Sequence, residues 1–218
     1  MNPSATKLLL HKRAYEIESV YEDDQHFRLI GHLRDVNPNG LWGIGENDPL
    51  TIHHMQVELL VEAATMTIKD VTAVMHVRPQ LECRDTLPRY DQLIGLSISR
   101  GFTHKVREMF GGPRACTHIG ALLNAMAPVA IQSMWAFTAH VQQIRGTVAN
   151  PDLSSEEARR ARSEEALGWN RNTCHVWAED GPMFKRVNEG QELPTPLWAL
   201  DRLESAGIAI DLWRQNNR

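Results

Sequence analysis

The chain has 218 residues, a formal net charge of −4, and 42% hydrophobic against 23% charged residues. This composition is ordinary for a globular protein, and the length allows a substantial core, so we expect a single domain over residues 1–218. The charge is slightly negative and no cluster of basic residues alternates with aromatic ones, which argues against binding to DNA or RNA.

The N-terminal residues lack the basic and apolar regions of a signal peptide, and no run approaches the roughly 20 apolar residues that span a bilayer. We therefore expect a cytoplasmic protein with no membrane partner. The three cysteines, Cys83, Cys116 and Cys174, are odd in number and widely spaced, which favours reduced thiols over disulfides. The absence of CxxC, HExxH, GxGxxG and Walker motifs removes the strongest motif-based cases for zinc, dinucleotides and nucleoside triphosphates.

Residues 8–80 are predicted to be rich in β-structure. Short β-prone runs at 11–20 and 26–36 flank the turn-forming residues 22–25, which indicates a hairpin. A second pair of runs, at 52–61 and 66–77, is closed by Pro79. The first third of the chain therefore predicts an antiparallel sheet.

Residues 87–145 are predicted to be helical. Phe102, Val106, Met109 and Phe110 have helical spacing, and the sequence Gly111-Gly112-Pro113 then ends that stretch. Apolar positions from 119 to 134 again recur at helical spacing, which predicts a long central helix ending near residue 144, with Pro128 as a kink.

Residues 154–218 are predicted to form a C-terminal α/β extension. A charged helix begins near Ser154, the runs 174–177 and 183–187 flank a hairpin turn at 179–182, and a last helix covers 197–205. The fold class is therefore α+β: an antiparallel sheet packed against a helical region with a long central helix, followed by a small hairpin and helix.

The alternation of side chains along the strands predicts which polar residues point inward. Residues of equal parity share one face of a strand, and the apolar rows of the three strands occupy odd positions. The polar residues that share this parity are His11, Arg13, Asp35 and His53, whereas His54 is predicted to face outward.

The same alternation predicts the register of the first hairpin. If Tyr21 pairs with Phe27, both apolar rows face one core and Arg13 lies opposite Asp35. An inward-facing ion pair with His11 beside it follows. Because an unpaired buried polar group costs a few kcal/mol, we expect these side chains to be hydrogen-bonded or to line a cavity.

A cysteine and a histidine lie where the long helix begins, in the segment Cys116-Thr117-His118. Unpaired backbone N–H groups and the positive end of the helix dipole favour anions and thiolates there. Structural roles remain open for each candidate: an ion pair for Arg13 and Asp35, core or edge positions for the histidines, and simple packing for Cys116.

Several segments together resemble the uncharacterised family catalogued as domain of unknown function 2889, over roughly residues 8–190. The resemblance is strongest at residues 115–119, and it extends to 11–13, 33–35, 52–55, 95–102 and 174–182. Ala115, His54 and Phe102 depart from the family pattern of glycine, aspartate and tryptophan at these positions. The resemblance implies no activity, so the function has to be argued from the residues.

The candidate catalytic residues are His11, Arg13, Asp35, His53, Cys116 and His118. Imidazoles titrate near neutral pH, Arg13 suits an anionic or phenolate oxygen, and Asp35 would orient its neighbours. We expect a small-molecule catabolic enzyme using cofactor-independent acid–base chemistry. The favoured reaction is that of a lyase, of the carbon–carbon lyase, hydratase or isomerase type, on a hydroxylated aromatic or similar small organic substrate. A divalent-metal hydrolase, a noncatalytic ligand-binding module and homo-oligomerisation remain open.

Overall fold

The computed structural model describes residues 8–42, 44–146, 168, 170–191 and 193–217. The chain divides into two compact units, Met1–Gly146 and Thr147–Arg218. The single domain expected from the sequence stays a prediction. The charged helix predicted from Ser154 lies outside the described residues.

The first unit begins with a four-stranded antiparallel sheet in which neighbouring strands are consecutive in the chain. The strands are β1 (Lys12–Tyr21), β2 (His26–Asn37), β3 (Leu50–Glu62) and β4 (Thr67–Val77). Both predicted hairpins are thus confirmed.

The pairing of β1 with β2 has the predicted register. Tyr21 lies opposite Phe27, and Arg13 lies opposite Asp35. In the next pair, Asp35 lies opposite His53, and a bulge between Asp35 and Val36 then shifts the register. Such bulges re-aim side chains and are common beside functional sites. This one falls where the apolar row of β2 gives way to polar residues.

Helices complete the first unit. A 3₁₀-helix covers Leu81–Leu93, α1 covers Phe102–Phe110, a 3₁₀ turn covers Gly112–Arg114, and α2 covers Thr117–Ile144. The predicted interruption at residues 111–113 and the long helix are confirmed. Pro128 lies inside α2; the predicted kink there stays a prediction.

The core of the first unit lies between the inward face of the sheet and α2. Its buried residues include Leu29, Leu33, Met55, Val57, Leu59, Ile119, Leu122, Leu123 and Met126. The helix lies close to the sheet at Gly31, where an added Cβ would lie 2.9 Å from Met126 Sδ. A glycine at this position lets α2 approach β2 closely.

Within the described residues, α2 is the one helix long and apolar enough to cross a membrane by length and composition, with 33% of its most apolar window buried. A core helix of a soluble protein has the same properties, so this is weak evidence for a membrane span. Polar residues such as Asn124 and Gln132 interrupt the helix, so it does not form one uninterrupted apolar run. The absence of a membrane partner stays a prediction.

The described part of the second unit contains short helices: a 3₁₀ turn at His175–Trp177, then α3 (Pro182–Asn188), α4 (Leu197–Ala206) and α5 (Ile210–Asn217). The last predicted helix is confirmed as α4. The predicted hairpin over residues 174–187 is wrong, because its two runs form the 3₁₀ turn and α3 instead.

The sequence Gly181-Pro182 explains this error. Proline is well suited to the first turn of a helix, where its missing N–H would have no partner. Gly181 has φ −78° and ψ 170°, an extended conformation that precedes a helix, and not the positive φ of a tight hairpin turn. Phe184 is then buried and meets Trp177 edge to face. The fold class remains α+β, with C-terminal helices in place of the hairpin.

Candidate functional site

The site is built around the carboxylate of Asp35, whose side chain is only 1% exposed. Arg13, directly opposite on β1, donates from Nε to Oδ1 at 2.6 Å and from Nη2 to Oδ2 at 2.7 Å. This bidentate pair lowers the pKa of Asp35 to about 2, with the Arg13 hydrogen bond as the largest cause, and raises the pKa of Arg13. Asp35 is therefore ionised at neutral pH.

Three imidazoles surround the same carboxylate. His11 Nε2 lies 3.3 Å from Oδ1, whereas His53 Nδ1 and His118 Nε2 lie 3.2 Å and 3.4 Å from Oδ2. The His11 contact has hydrogen-bond geometry. His53 Nδ1 is within ion-pair distance but badly angled, so this buried atom has no hydrogen-bond partner. An unsatisfied buried nitrogen is costly, so this atom calls for a partner such as a bound water or ligand.

His53 and His118 stack on each other, with ring centroids 3.7 Å apart and planes at 27°. The pKa of His118 is lowered by burial first and by His53 second, while Asp35 acts in the opposite direction. Charging both stacked rings at once is unfavourable, because like charges at this distance repel strongly. The pair is thus suited to holding and passing one proton.

Cys116 and Tyr90 extend the site behind His118. Cys116 Sγ lies 3.8 Å from His118 Nδ1, and the Cys116 N–H donates to the hydroxyl of Tyr90 at 3.1 Å. Tyr90 is 1% exposed, and burial raises its pKa, so the hydroxyl stays protonated. Sequence reasoning missed Tyr90, because its 3₁₀-helix carries no periodic pattern that points to a site.

A second group of histidines lies on the outer face of the sheet. His54 Nε2 is 3.2 Å from His32 Nδ1, and the His54 and His76 rings are 4.5 Å apart. The pKa of His54 is lowered by burial and by neighbouring positive charge. The outward orientation predicted for His54 is confirmed. His32 was not singled out, although the same parity argument assigns it to this face.

The site is open on one side. The exposed fraction of the side chain is 1% for Asp35, 16% for His53 and 21% for His118, but 36% for Arg13 and 46% for His11. A small molecule approaching from the His11 and Arg13 side would meet the guanidinium and the imidazoles, while the carboxylate stays covered.

Asp35, His53 and His118 also present one donor atom each within 4.8 Å of one another. The two distances from Asp35 Oδ2 to the ring nitrogens, 3.2 and 3.4 Å, match the edge of about 3.3 Å expected for tetrahedral zinc with bonds of about 2.0–2.1 Å. Two of the three spacings therefore agree with a divalent cation, which is weak evidence for a metal site. Arg13 disfavours a cation at this position, because its guanidinium already donates hydrogen bonds to both carboxylate oxygens and its positive charge repels a metal ion.

All six residues singled out from the sequence contact either Asp35 or His118, so the structure brings them together. They define an α+β protein whose polar site joins the ends of β1, β2 and β3 to the start of α2. The chain belongs to the family described as protein of unknown function (DUF2889), whose model matches residues 11–132. That match contains the whole site but not the C-terminal segment at 174–182. No curated protein and no solved structure matches the chain significantly.

Proposed function

We propose that the protein is a small-molecule catabolic enzyme that uses acid–base chemistry without a cofactor. The observation that carries this proposal is the convergence of three imidazoles and one guanidinium on a single buried carboxylate at a solvent-accessible edge. Such a group of titratable side chains with perturbed pKa values is typical of catalytic sites.

In this proposal each residue has a distinct role. His118, whose lowered pKa keeps it neutral at pH 7, accepts a proton, and the stacked His53 or the more exposed His11 returns one. Arg13 holds an anionic or phenolate oxygen with the charge that it presents to solvent. Asp35 fixes the position of Arg13 and faces the three rings. A lyase of the carbon–carbon lyase, hydratase or isomerase type, acting on a hydroxylated aromatic or similar compound, would use these roles.

The first prediction tests this activity directly. Protein treated with a chelator is incubated with a panel of hydroxylated aromatic compounds, and products are followed by mass spectrometry. We expect turnover that falls about 100-fold or more in His53→Ala and in His118→Ala, the range for loss of a general acid or base. His76→Ala, on the outer face, is the matched control and should keep full activity. The proposal fails if both folded site variants retain full turnover.

Two other outcomes would favour other functions. Stoichiometric bound zinc, with activity lost on chelation and restored by zinc, would favour a metal-dependent hydrolase built on the Asp35, His53 and His118 donors. A compound that raises the melting temperature without being converted would favour a noncatalytic ligand-binding module.

A further inference from the structure

The imidazole of His118 connects a thiol to a buried carboxylate through its two different ring nitrogens. Its Nδ1 faces Cys116 Sγ at 3.8 Å, and its Nε2 faces Asp35 Oδ2 at 3.4 Å. A nucleophile, a base and a group that orients the base form the arrangement of an activated catalytic nucleophile. We propose that Cys116 is a catalytic nucleophile, with His118 as its base and Asp35 as the positioning residue.

The charge of the carboxylate favours the tautomer of His118 that this chemistry needs. His118 Nε2 lies at ion-pair distance from Asp35 without hydrogen-bond geometry, so Asp35 acts through its negative charge, which favours a proton on Nε2 and leaves the lone pair on Nδ1, the nitrogen nearest the sulfur. Arg13 holds the carboxylate by two hydrogen bonds. The orientation of the base is thus anchored in the sheet.

The backbone of Cys116 is held independently of the histidine. Its N–H donates to the Tyr90 hydroxyl, and its carbonyl accepts from the same hydroxyl at 3.4 Å. Cys116 is half-buried, so the residue packs against the core while part of it stays exposed. No imidazole contact involves the sulfur of Cys83 or Cys174 among the described residues, so these two cysteines are internal controls.

The step that follows is an addition to a carbonyl group. The thiol proton moves to His118 Nδ1, a bond forms between Sγ and the carbonyl carbon, and the π electron pair moves onto the carbonyl oxygen. That oxygen then takes the proton from His118, so atoms and charge balance without a further reactant. The inference rests on the proposed function for its substrate: the hydroxylated aromatic compound would carry an aldehyde or ketone group.

The test measures alkylation of the native protein by iodoacetamide at pH 7, with each cysteine quantified by peptide mass spectrometry. An activated thiol reacts faster than an ordinary exposed one. We therefore expect half-buried Cys116 to react at least about tenfold faster than exposed Cys174. His118→Gln should slow Cys116 by a similar factor and leave Cys83 and Cys174 unchanged, and circular dichroism checks that the variant is folded.

The proposal is overturned if Cys116 reacts more slowly than Cys174 in the unmodified chain, a result that needs no variant to fold. It is also overturned if folded His118→Gln leaves the rate at Cys116 unchanged, or if Cys116→Ser retains full turnover on an identified substrate. Labelling requires no substrate, so failure to find turnover would count against the proposed function alone.

Discussion

At the scale of single residues, burial and neighbouring charges together set the protonation of His118. A carboxylate facing an imidazole would ordinarily raise its pKa and charge it. Here burial lowers the pKa of His118 first and His53 second, and Arg13, which neutralises Asp35 through two hydrogen bonds, adds a smaller effect in the same direction. His118 is therefore a neutral base beside the ionised carboxylate of Asp35.

Replacing Asp35 by Asn tests how far the fold depends on this pair. The substitution leaves Arg13 without its counter-charge, but Arg13 is 36% exposed and is partly rehydrated. We expect a loss of about 2–3 kcal/mol in the free energy of unfolding, below the 3–5 kcal/mol for a fully buried pair. Urea unfolding at pH 7 measures it, and Glu108→Gln, which breaks an exposed pair with Lys105, should cause no measurable change. Equal effects of the two substitutions would show that the Asp35 pair contributes little to stability.

At the scale of elements, the site depends on how closely α2 lies on the sheet. His118 is in the first turn of α2 and contacts Asp35 and His53, and further along the same helix Met126 lies against Gly31 of β2. Protein interiors are close-packed, so there is no empty space for added side-chain volume at this contact, and such volume would displace the helix.

Two glycine substitutions are expected to change the stability in opposite directions. Gly31→Ala tests the contact, and Gly120→Ala is its control. Gly31→Ala places a Cβ 2.9 Å from Met126 Sδ and 3.2 Å from Leu122 Cδ1. We expect a loss of about 1–3 kcal/mol from overpacking. Gly120→Ala lies in α2 with no atom within 4 Å of the new Cβ, and should gain about 0.5–1 kcal/mol from helix propensity. Thermal unfolding of both variants measures the difference, and a stabilising Gly31→Ala would contradict the close approach.

At the scale of the molecule, the titratable groups give the protein a preference for neutral over acidic solution. Each described carboxyl group with a resolved shift has a lowered pKa: Glu22, Asp23, Asp24, Asp35, Glu62 and Glu108. The lowered pKa of His118 acts in the same direction. In all of these groups the unfolded chain binds protons more readily than the folded one, so acid favours unfolding.

The pH dependence of stability follows from these shifts. Because His118 has a pKa below its ordinary 6.5, its contribution is present above pH 6.5 and is lost as the pH falls below that value. Asp35 contributes at most about 2 kcal/mol above pH 4, lost as the pH falls from about 4 to about 2. Melting temperatures measured between pH 7 and pH 2 should decline below pH 6.5 and again between about pH 4 and about pH 2. Asp35→Asn should make the second of these declines smaller. Greater stability at pH 3 than at pH 7 would contradict these assignments.

Much of the sheet and part of the site could be predicted from the sequence, because a strand has a period of two. With the apolar rows facing one core, His54 had to face outward, and the pairing of Tyr21 with Phe27 across a short loop then set Arg13 opposite Asp35. The structure of residues 174–187 was predicted wrongly as a hairpin, since Gly181-Pro182 is compatible with both a turn and a helix start. Tyr90 was missed because its contact with Cys116 joins segments with no local pattern in common.

Local alternation and short turns were enough to predict the strands, the register of β1 with β2, and the inward row that holds Arg13, Asp35 and His53. The stacking of His118 on His53, and the position of one ring between Cys116 and Asp35, could be seen only in the folded structure. Those contacts depend on the position and rotation of α2 on the sheet. Side-chain packing across the core sets both, and no local pattern in the sequence encodes them.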